Sequence, residues 1–534
     1  MHFAFCILHF MIRRRSWAIA LALLAIFAAA GVGLRMRSRA AAVARLPPMP
    51  DVTGQPPAVV EHLGQADLVA RRNPTSAEAV GALGMAYHAD LLYAPAAAAY
   101  RAAMALAPGD WRWGYYLVLL HLERGEAEPA AARLRAIVAA SPDFALAWLR
   151  LGDAEFKRAR YQEADEAYAR AAQAPDAAAS VQTMPPARRG TVPIRAYAAM
   201  GRARVALQQG RADLARQALE GVFANAPQFG AAHRLLGDTY RRLGRAHEAN
   251  LHLARAAALP AYHAPPDAMV DALARESRSS VLLLKQASAA DSVRDGAWRE
   301  YLVRRALEFN ERNPDVVYEM GALLQQLKRP EEALPYFNQH LEMVSDDLQT
   351  LVQIGKCYAD LGRFQDAETV LRRALNAADD AVGFHNLGYV LEQLGRPADA
   401  QRQYEHALEL NPGLAGAHTN LGTALARQER FPEAVTHLTE AVRLEPGSAA
   451  AHNNLGGVFL QQRQVEVASR HFRSALELNP EHADAHANLG AALAQQGFGD
   501  EAVRHFDEAL RIDPGHGAAS ANRKAVLAQM QDRR

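Results

Sequence analysis

The chain has 534 residues, of which 50% are hydrophobic and 22% are charged, and its formal net charge is +1. A chain of this length can bury a sizeable core, and its near-zero charge excludes the basic field that recruits nucleic acid or an acidic surface. The two cysteines, Cys6 and Cys357, exclude a disulfide framework, a CxxC zinc site and a haem-attachment motif. Because the net charge is near zero, we expect no nucleic-acid partner.

An apolar run lies near the N-terminus. Residues 1–15 end in three arginines, and residues 16–34 carry no charge. At a 1.5 Å rise the run spans roughly 27 Å, close to the thickness of a bilayer's hydrocarbon core. We predict a transmembrane signal anchor over residues 16–34, in a bacterial inner membrane, with the rest of the chain in the periplasm. A cleaved signal peptide is the alternative, and Met11 is an alternative start to Met1.

A sequence pattern recurs beyond residue 77: Leu-Gly, followed twelve residues later by alanine. Each unit also tends to place an aromatic residue or leucine, a second alanine and a proline at fixed distances. The last four Leu-Gly pairs stand 34 residues apart, at 387–388, 421–422, 455–456 and 489–490. Small residues let two antiparallel helices approach closely, and proline ends the second helix. Because one such unit cannot bury its apolar face alone, the units must stack.

This pattern resembles the tetratricopeptide repeat, over most of residues 77–516 and in twelve units. The resemblance implies an all-α fold, a right-handed α-solenoid of stacked helix-turn-helix repeats, here preceded by a single N-terminal transmembrane helix. The predicted segments are a basic segment at 1–15, a transmembrane helix at 16–34, a proline-rich spacer at 35–76, an N-terminal repeat array at 77–263 with an insertion at 179–193, an insertion and degenerate repeat at 264–313, a C-terminal array at 314–516 and a capping helix at 517–534.

Histidines recur at the fourth position of three repeats and at the twenty-third, namely at His418, His452 and His486 and at His437, His471 and His505. Equivalent helices of neighbouring repeats lie on the order of 10 Å apart, whereas zinc holds its ligand atoms at about 2 Å. Equivalent histidines therefore cannot share an ion, and we expect packing or capping roles. The acid pairs Asp346-Asp347 and Asp379-Asp380 lie at repeat junctions, where a turn or a helix cap is the expected role.

No nucleophile elbow, P-loop or HExxH motif is present in the sequence. We therefore predict no catalytic residue, no metal, no cofactor and no enzymatic activity.

Asparagine occupies the sixth position of four consecutive repeats, directly before Leu-Gly, at Asn386, Asn420, Asn454 and Asn488. Helix propensity gives no reason for asparagine there. This asparagine ladder resembles that of O-linked N-acetylglucosamine transferase. The resemblance implies that the four amides lie on the concave face of the superhelix and hold the backbone of an extended polypeptide. An amide can do so because it offers both a donor and an acceptor. We expect the ladder, with the adjacent Asn453, to bind a peptide. The alternative is that the asparagines satisfy a neighbouring helix or water, or reflect repeat duplication.

The fifth and ninth positions of the same repeats lack the lysines and arginines of a carboxylate clamp, and no glycosyltransferase sequence follows the repeats. We therefore predict a membrane-tethered scaffold that binds a partner protein or an extended peptide, and the oligomeric state stays open. The alternatives are a recruiting or regulatory subunit of a separate enzyme or envelope-assembly machinery, and an enzyme with its site in an insertion.

Overall fold

The computed structural model describes residues 36–175, 192–257, 259, 265, 267–289 and 296–532. All regular structure within these residues is helical, which confirms the all-α prediction. Besides a short helix at 36–43, the helices are Pro57–Arg72, Ala77–Ala89, Tyr93–Leu106, Trp111–Glu123, Ala127–Ala140, Ala145–Lys157, Tyr161–Gln173, Ile194–Gln208, Ala212–Glu220, Gly230–Arg242, Ala246–Ala257, Ala268–Glu276, Ser280–Ala289, Gly296–Phe309, Pro314–Gln326, Pro330–Met343, Leu348–Asp360, Phe364–Ala377, Ala381–Gln393, Pro397–Leu410, Ala415–Arg427, Phe431–Leu444, Ala449–Gln461, Val465–Leu478, Ala483–Gln495, Gly499–Ile512 and Gly517–Asp532.

The helices form two compact units. Unit 1 contains the residues up to Ala159 together with Asp267–Leu283, and unit 2 contains Arg160–Pro266 together with the residues from Leu284 onwards. Within each unit, most first helices pack against the second helix of their repeat, which then packs against the first helix of the next repeat. The C-terminal series of such repeats lies entirely in unit 2.

The recurring glycine makes room for a large side chain of the second helix. A Cβ added to Gly456 would lie 2.7 Å from the ring of Phe472, and one added to Gly388 would lie 2.5 Å from the ring of Tyr404. Both rings are fully buried. The recurring alanine meets the same glycine through its backbone, since the carbonyl oxygen of Ala468 would lie 3.2 Å from the added Cβ of Gly456. The glycine is therefore required by close helix packing and not by its backbone angles.

The second alanine of the repeat is buried. It is 1% exposed or less in the four C-terminal repeats, at Ala407, Ala441, Ala475 and Ala509. A small residue at this position allows the next first helix to approach closely.

Two of the acidic residues at repeat junctions are helix caps. The Asp347 carboxylate accepts a hydrogen bond from the backbone N–H of Thr350 at 2.8 Å, and the Asp380 carboxylate accepts one from the N–H of Gly383 at 2.5 Å. Each satisfies a donor that the first turn of a helix leaves without a partner. These carboxylates therefore have a structural role, as the sequence indicated.

The predicted membrane placement requires correction. No helix in the described part of the chain is long and apolar enough to cross a bilayer. The predicted span at 16–34 lies outside the described residues. The prediction of a single-pass protein of a bacterial inner membrane, with its repeats in the periplasm, is therefore unsupported and is not retained.

The range predicted as a proline-rich spacer, 35–76, includes the helix Pro57–Arg72. Val59, Leu63 and Ala70 are buried along one face of this helix, which packs against Ala77–Ala89. Proline at the first helical position is compatible with the helix because its missing N–H would have no partner there. The second half of this range therefore continues the helical packing of unit 1.

Candidate functional site

The asparagine ladder lies on the first helices of four consecutive repeats in unit 2. These helices are Ala381–Gln393, Ala415–Arg427, Ala449–Gln461 and Ala483–Gln495. Consecutive first helices contact each other as well as their own second helices. All four ladder side chains are partly buried, so each one lies beside a neighbouring helix and also reaches the surface.

Three of the four ladder amides donate a hydrogen bond to the preceding repeat. Nδ2 of Asn420 lies 3.0 Å from Nε2 of His385. Nδ2 of Asn454 donates to Oγ1 of Thr423 at 3.1 Å. In the last repeat, Nδ2 of Asn488 donates to Oδ1 of Asn453 at 2.9 Å. The ladder therefore also links neighbouring first helices, a structural role that the sequence analysis left as an alternative.

Asn453 belongs to the interhelical network as well as to the predicted peptide site. It is 7% exposed, and its Nδ2 donates to Oδ1 of Asn454 at 3.4 Å. Its own Oδ1 accepts from Asn488, so both ends of its amide are engaged. Asn453 is therefore less available to a peptide than the half-buried ladder residues beside it.

The interhelical bonds leave hydrogen-bonding capacity on the ladder. An asparagine amide has two N–H donors and a carbonyl oxygen with two lone pairs. The bonds from Asn420 and Asn488 each use one N–H, and neither uses the carbonyl oxygen. The Asn488 amide, fixed by one such bond, still offers a donor and an acceptor, whereas Asn420, which also donates to the Tyr404 hydroxyl, still offers its carbonyl oxygen.

His385 supports the first of these bonds as a neutral acceptor. Burial lowers the pKa of His385 below its ordinary value. Its Nε2 accepts the amide N–H of Asn420, so the ring proton lies on Nδ1. The ring also lies 3.2 Å from the position of a Cβ added to Gly416, which shows how closely the two first helices approach.

An exposed aromatic residue and an ion pair lie near the start of the ladder. Thr423, at the ninth repeat position, lies beside Asn454, the ladder residue of the next repeat. The ninth position of the preceding repeat is Tyr389, which is 41% exposed. Arg427 forms an ion pair with Glu392, which also accepts a hydrogen bond from the hydroxyl of Tyr404 at 3.1 Å. The first-helix surface therefore offers an apolar ring and charged groups in addition to amides.

The periodic histidines form pairs inside each repeat, an arrangement that the sequence analysis missed. The fourth-position histidine meets the twenty-third-position histidine of the facing helix, and an equivalent pair occurs in an earlier repeat. The separations between the two Nδ1 atoms are 2.9 Å for His233–His252, 2.9 Å for His418–His437, 3.3 Å for His452–His471 and 3.0 Å for His486–His505. The spacing of 19 residues between members of a pair was the signal in the sequence.

The backbone fixes the tautomers of these pairs. Nε2 of His418 lies 3.1 Å from the carbonyl oxygen of Pro412, and Nε2 of His486 lies 3.0 Å from that of Pro480. A carbonyl only accepts, so Nε2 carries the proton and Nδ1 accepts from the facing histidine. Among the described residues there is no group of three or more potential metal-ligating side chains.

We expect the histidine pairs to make stability depend on pH. Burial, assisted by the facing histidine and a nearby arginine, lowers the pKa of His252 and that of His471 to about 4. In the unfolded chain the histidine pKa values lie near 6.5, so between about pH 6.5 and about pH 4 the unfolded chain takes up protons that the folded chain does not. The contribution of the neutral pairs to folding stability is therefore present above about pH 6.5 and is lost as the pH falls towards about 4.

Thermal unfolding followed by circular dichroism at about pH 7 and about pH 5 measures this effect. We expect the melting temperature to fall more in the native chain than in a His252→Gln/His471→Gln variant. An equal fall in both proteins would show that the pairs do not contribute.

Two sequence models of the tetratricopeptide repeat match the chain. One matches residues 115–179, 189–264, 385–449, 419–468 and 453–516, and the other matches residues 315–380 and 346–413. Together these stretches cover more than half of the chain. They include all four ladder repeats and most of the repeats before them.

The chain is also similar to individual proteins. It is 28% identical over 133 residues to tetratricopeptide repeat protein 16 of Homo sapiens, a match that spans 22% of this chain and 15% of that protein. The crystal structure of the APC/C hetero-tetramer Cut9-Hcn1 matches 83% of this chain and 95% of its own, at 17% identity and a TM-score of 0.37. The structure of YrrB, a TPR protein with an unusual peptide-binding site, matches 34% of this chain and 95% of its own, at 26% identity and a TM-score of 0.27.

Proposed function

Because the chain belongs to the tetratricopeptide repeat family, whose members generally mediate protein–protein or peptide interactions, we propose that it is an interaction scaffold that binds an extended polypeptide. The binding surface is the first-helix face of the four ladder repeats. The chain acts by binding and not by catalysis.

The observation that carries the proposal is the repetition of one amide at one repeat position. The four asparagines recur every 34 residues on helices that contact one another. An extended backbone presents its N–H and C=O groups at regular intervals, so a regular series of amides can bind it without reading its side chains. The resemblance to the ladder of O-linked N-acetylglucosamine transferase supports the same use of these residues.

The hydrogen bonds alone predict modest affinity. At a net ~0.5–1.5 kcal/mol for each hydrogen bond, four rungs contribute about 2–6 kcal/mol. Association costs are of comparable or larger size. Tight or selective binding therefore requires side-chain contacts beside the ladder, and the exposed ring of Tyr389 is suited to an apolar or aromatic side chain of the peptide.

Replacing Tyr389 with alanine is expected to weaken peptide binding by roughly 2- to 13-fold, which corresponds to the ~0.5–1.5 kcal/mol of an aromatic contact. The melting temperature is expected to stay unchanged because the ring is 41% exposed. Fluorescence anisotropy, with a peptide selected from a random library on the purified full chain, measures the affinity.

The matched control is Phe498→Ala, which removes another exposed aromatic residue that lies at a turn and not on the ladder. This control should bind the peptide like the native chain. Equal affinity of the Tyr389→Ala variant and the native chain would remove Tyr389 from the site.

The location of the site is tested by photocrosslinking of the same peptide. A photoreactive phenylalanine analogue at position 389 should form an adduct with the peptide. The analogue at position 402, on the second helix of the same repeat, where the native Arg402 side chain is 67% exposed, should not. Efficient labelling from position 402 alone would place the peptide on the opposite face and contradict the proposal.

A further inference from the structure

A segment from the middle of the chain lies on the first helices of the N-terminal repeats. This segment, residues 267–283, belongs to unit 1, and we call it the cis segment. Its helix Ala268–Glu276 contacts the first helix Ala77–Ala89. The side chains of Asp267, Asp271 and Ala274 are 5% exposed or less and follow one another at helical spacing along one face.

The N-terminal end of the cis segment is held by a buried carboxylate. Oδ2 of Asp267 accepts hydrogen bonds from the hydroxyl of Tyr115 at 2.9 Å and from the guanidinium of Arg150 at 2.5 Å. Arg150 also donates to the Tyr115 hydroxyl at 2.7 Å. Asp267 is 4% exposed and Tyr115 is fully buried. The carboxylate is thus enclosed by a cation and a hydroxyl, as a buried charge requires.

The same carboxylate also begins the helix of the cis segment. Oδ1 of Asp267 accepts the backbone N–H of Met269 at 3.0 Å, as an N-cap does. The pocket of Arg150 and Tyr115 therefore recognises an aspartate in one particular place, at the start of a helix.

The C-terminal end of this short helix is held as well. The hydroxyl of Ser277 donates to the backbone oxygen of Ala89 at 2.8 Å. The backbone N–H of Arg278 donates to Oδ1 of Asp90 at 3.1 Å, and Asp90 is 5% exposed. Both ends of the cis helix are therefore anchored by polar groups, with Leu273 and Ala274 buried between them.

The pocket uses the same repeat positions as the asparagine ladder. Arg150 is the sixth residue of its first helix, Ala145–Lys157, and Tyr115 is the fifth residue of Trp111–Glu123. The sixth position carries asparagine in the ladder repeats, and the fifth carries His385 and Asn453. In unit 1 this face thus holds a charged pocket that already contains a segment of polypeptide.

We propose that this face of unit 1 is a second binding site, for a short amphipathic helix with aspartate at its N-cap, and that the cis segment occupies it until such a helix of a partner protein displaces it. The contacts come from one helix face and from the two helix ends, so a separate chain can reproduce all of them. A helix of nine residues is marginally stable without its partner, so part of the contact energy offsets the cost of ordering the segment, which weakens its binding to the site. The apparent affinity of a competitor is its intrinsic affinity multiplied by the fraction of time for which the cis segment leaves the site empty.

The first test uses an acetylated, fluorescently labelled peptide with the sequence of residues 267–283 and the full chain as its receptor. Asp267→Asn in the chain retains the shape and the capping oxygen but removes the charge that Arg150 binds. We expect this variant to bind the peptide about tenfold more tightly than the native chain, because its own segment competes less well. Arg150→Gln added to this variant should abolish the gain, and a peptide that itself carries Asp267→Asn should bind about tenfold more weakly. Equal affinity of the peptide for the Asp267→Asn variant and for the native chain would overturn the proposal.

The second test needs no substitution in the chain. Hydrogen exchange of the native chain is measured with and without excess peptide. We expect faster exchange in residues 268–276 of the chain, with unchanged protection of the helices Trp111–Glu123 and Ala145–Lys157. If saturating peptide leaves the exchange of residues 268–276 unchanged, or if all of unit 1 loses protection together, the cis segment is a fixed part of the fold. A Tyr389→Ala chain should behave like the native chain in both tests, which separates this site from the ladder.

Discussion

Replacing Phe472 with alanine is expected to lower the free energy of unfolding by about 3–5 kcal/mol, the usual cost of removing a buried aromatic ring. Phe472 is fully buried, and its ring fills the space that Gly456 leaves open on the facing helix. The loss combines the transfer of the ring out of the core with the cavity that remains. Urea unfolding followed by circular dichroism measures the change.

The role of the glycine is tested by two further variants. Gly456→Ala alone should destabilise the chain, because its methyl group would lie 2.7 Å from the ring of Phe472. Added to Phe472→Ala, the same methyl group should recover part of the lost stability by filling the cavity. Additive losses in the double variant would contradict a direct contact between the two residues.

Replacing all four ladder asparagines with alanine is expected to weaken peptide binding at least about thirtyfold, the equivalent of the lower limit of about 2 kcal/mol for four hydrogen bonds. Helical content should be unchanged, because alanine is the best helix former. A modest loss of stability is expected as well, since Asn420, Asn454 and Asn488 also bond to neighbouring helices. Fluorescence anisotropy with the selected peptide measures the binding.

Thr423→Val separates the two roles of the ladder. This substitution removes the oxygen that receives the Asn454 amide but leaves all four ladder amides in the chain. We expect Thr423→Val to lose part of the stability that the fourfold variant loses, and to weaken peptide binding much less than that variant does. If Thr423→Val weakens binding as strongly as the fourfold variant, or if the fourfold variant unfolds, the asparagines act only as links between helices.

The repeat architecture was predictable because its residues are constrained by sterics. Gly456 and Ala468 recur in phase in the sequence, and both lie where two helices approach most closely. The sequence could not show that the glycine receives an aromatic ring sixteen residues later, because that depends on the tilt of the second helix. The helix Pro57–Arg72 was missed because the proline-rich residues before it led to the prediction of a spacer over the whole range 35–76.

The site was predictable only in part. The ladder was visible because asparagine is out of place in a helix, but its bonds to His385 and Thr423 depend on how neighbouring first helices are spaced. The histidine pairs join different positions within a repeat, whereas a repeat pattern in the sequence aligns only equivalent positions of different repeats. The contact between Asp267 and Arg150 joins residues that are 117 apart in the chain, and no local sequence pattern indicates it.

Recognition of peptide backbone by the asparagine ladder is tested most directly by backbone methylation. Each N–H of the selected peptide is replaced in turn by N–CH₃, and each peptide is measured against the native chain and against the fourfold asparagine variant. We predict that methylation at several sites weakens binding to the native chain by about 0.5–1.5 kcal/mol each and has little effect on the variant. Equal effects of methylation on the two proteins would contradict backbone recognition by the asparagine ladder.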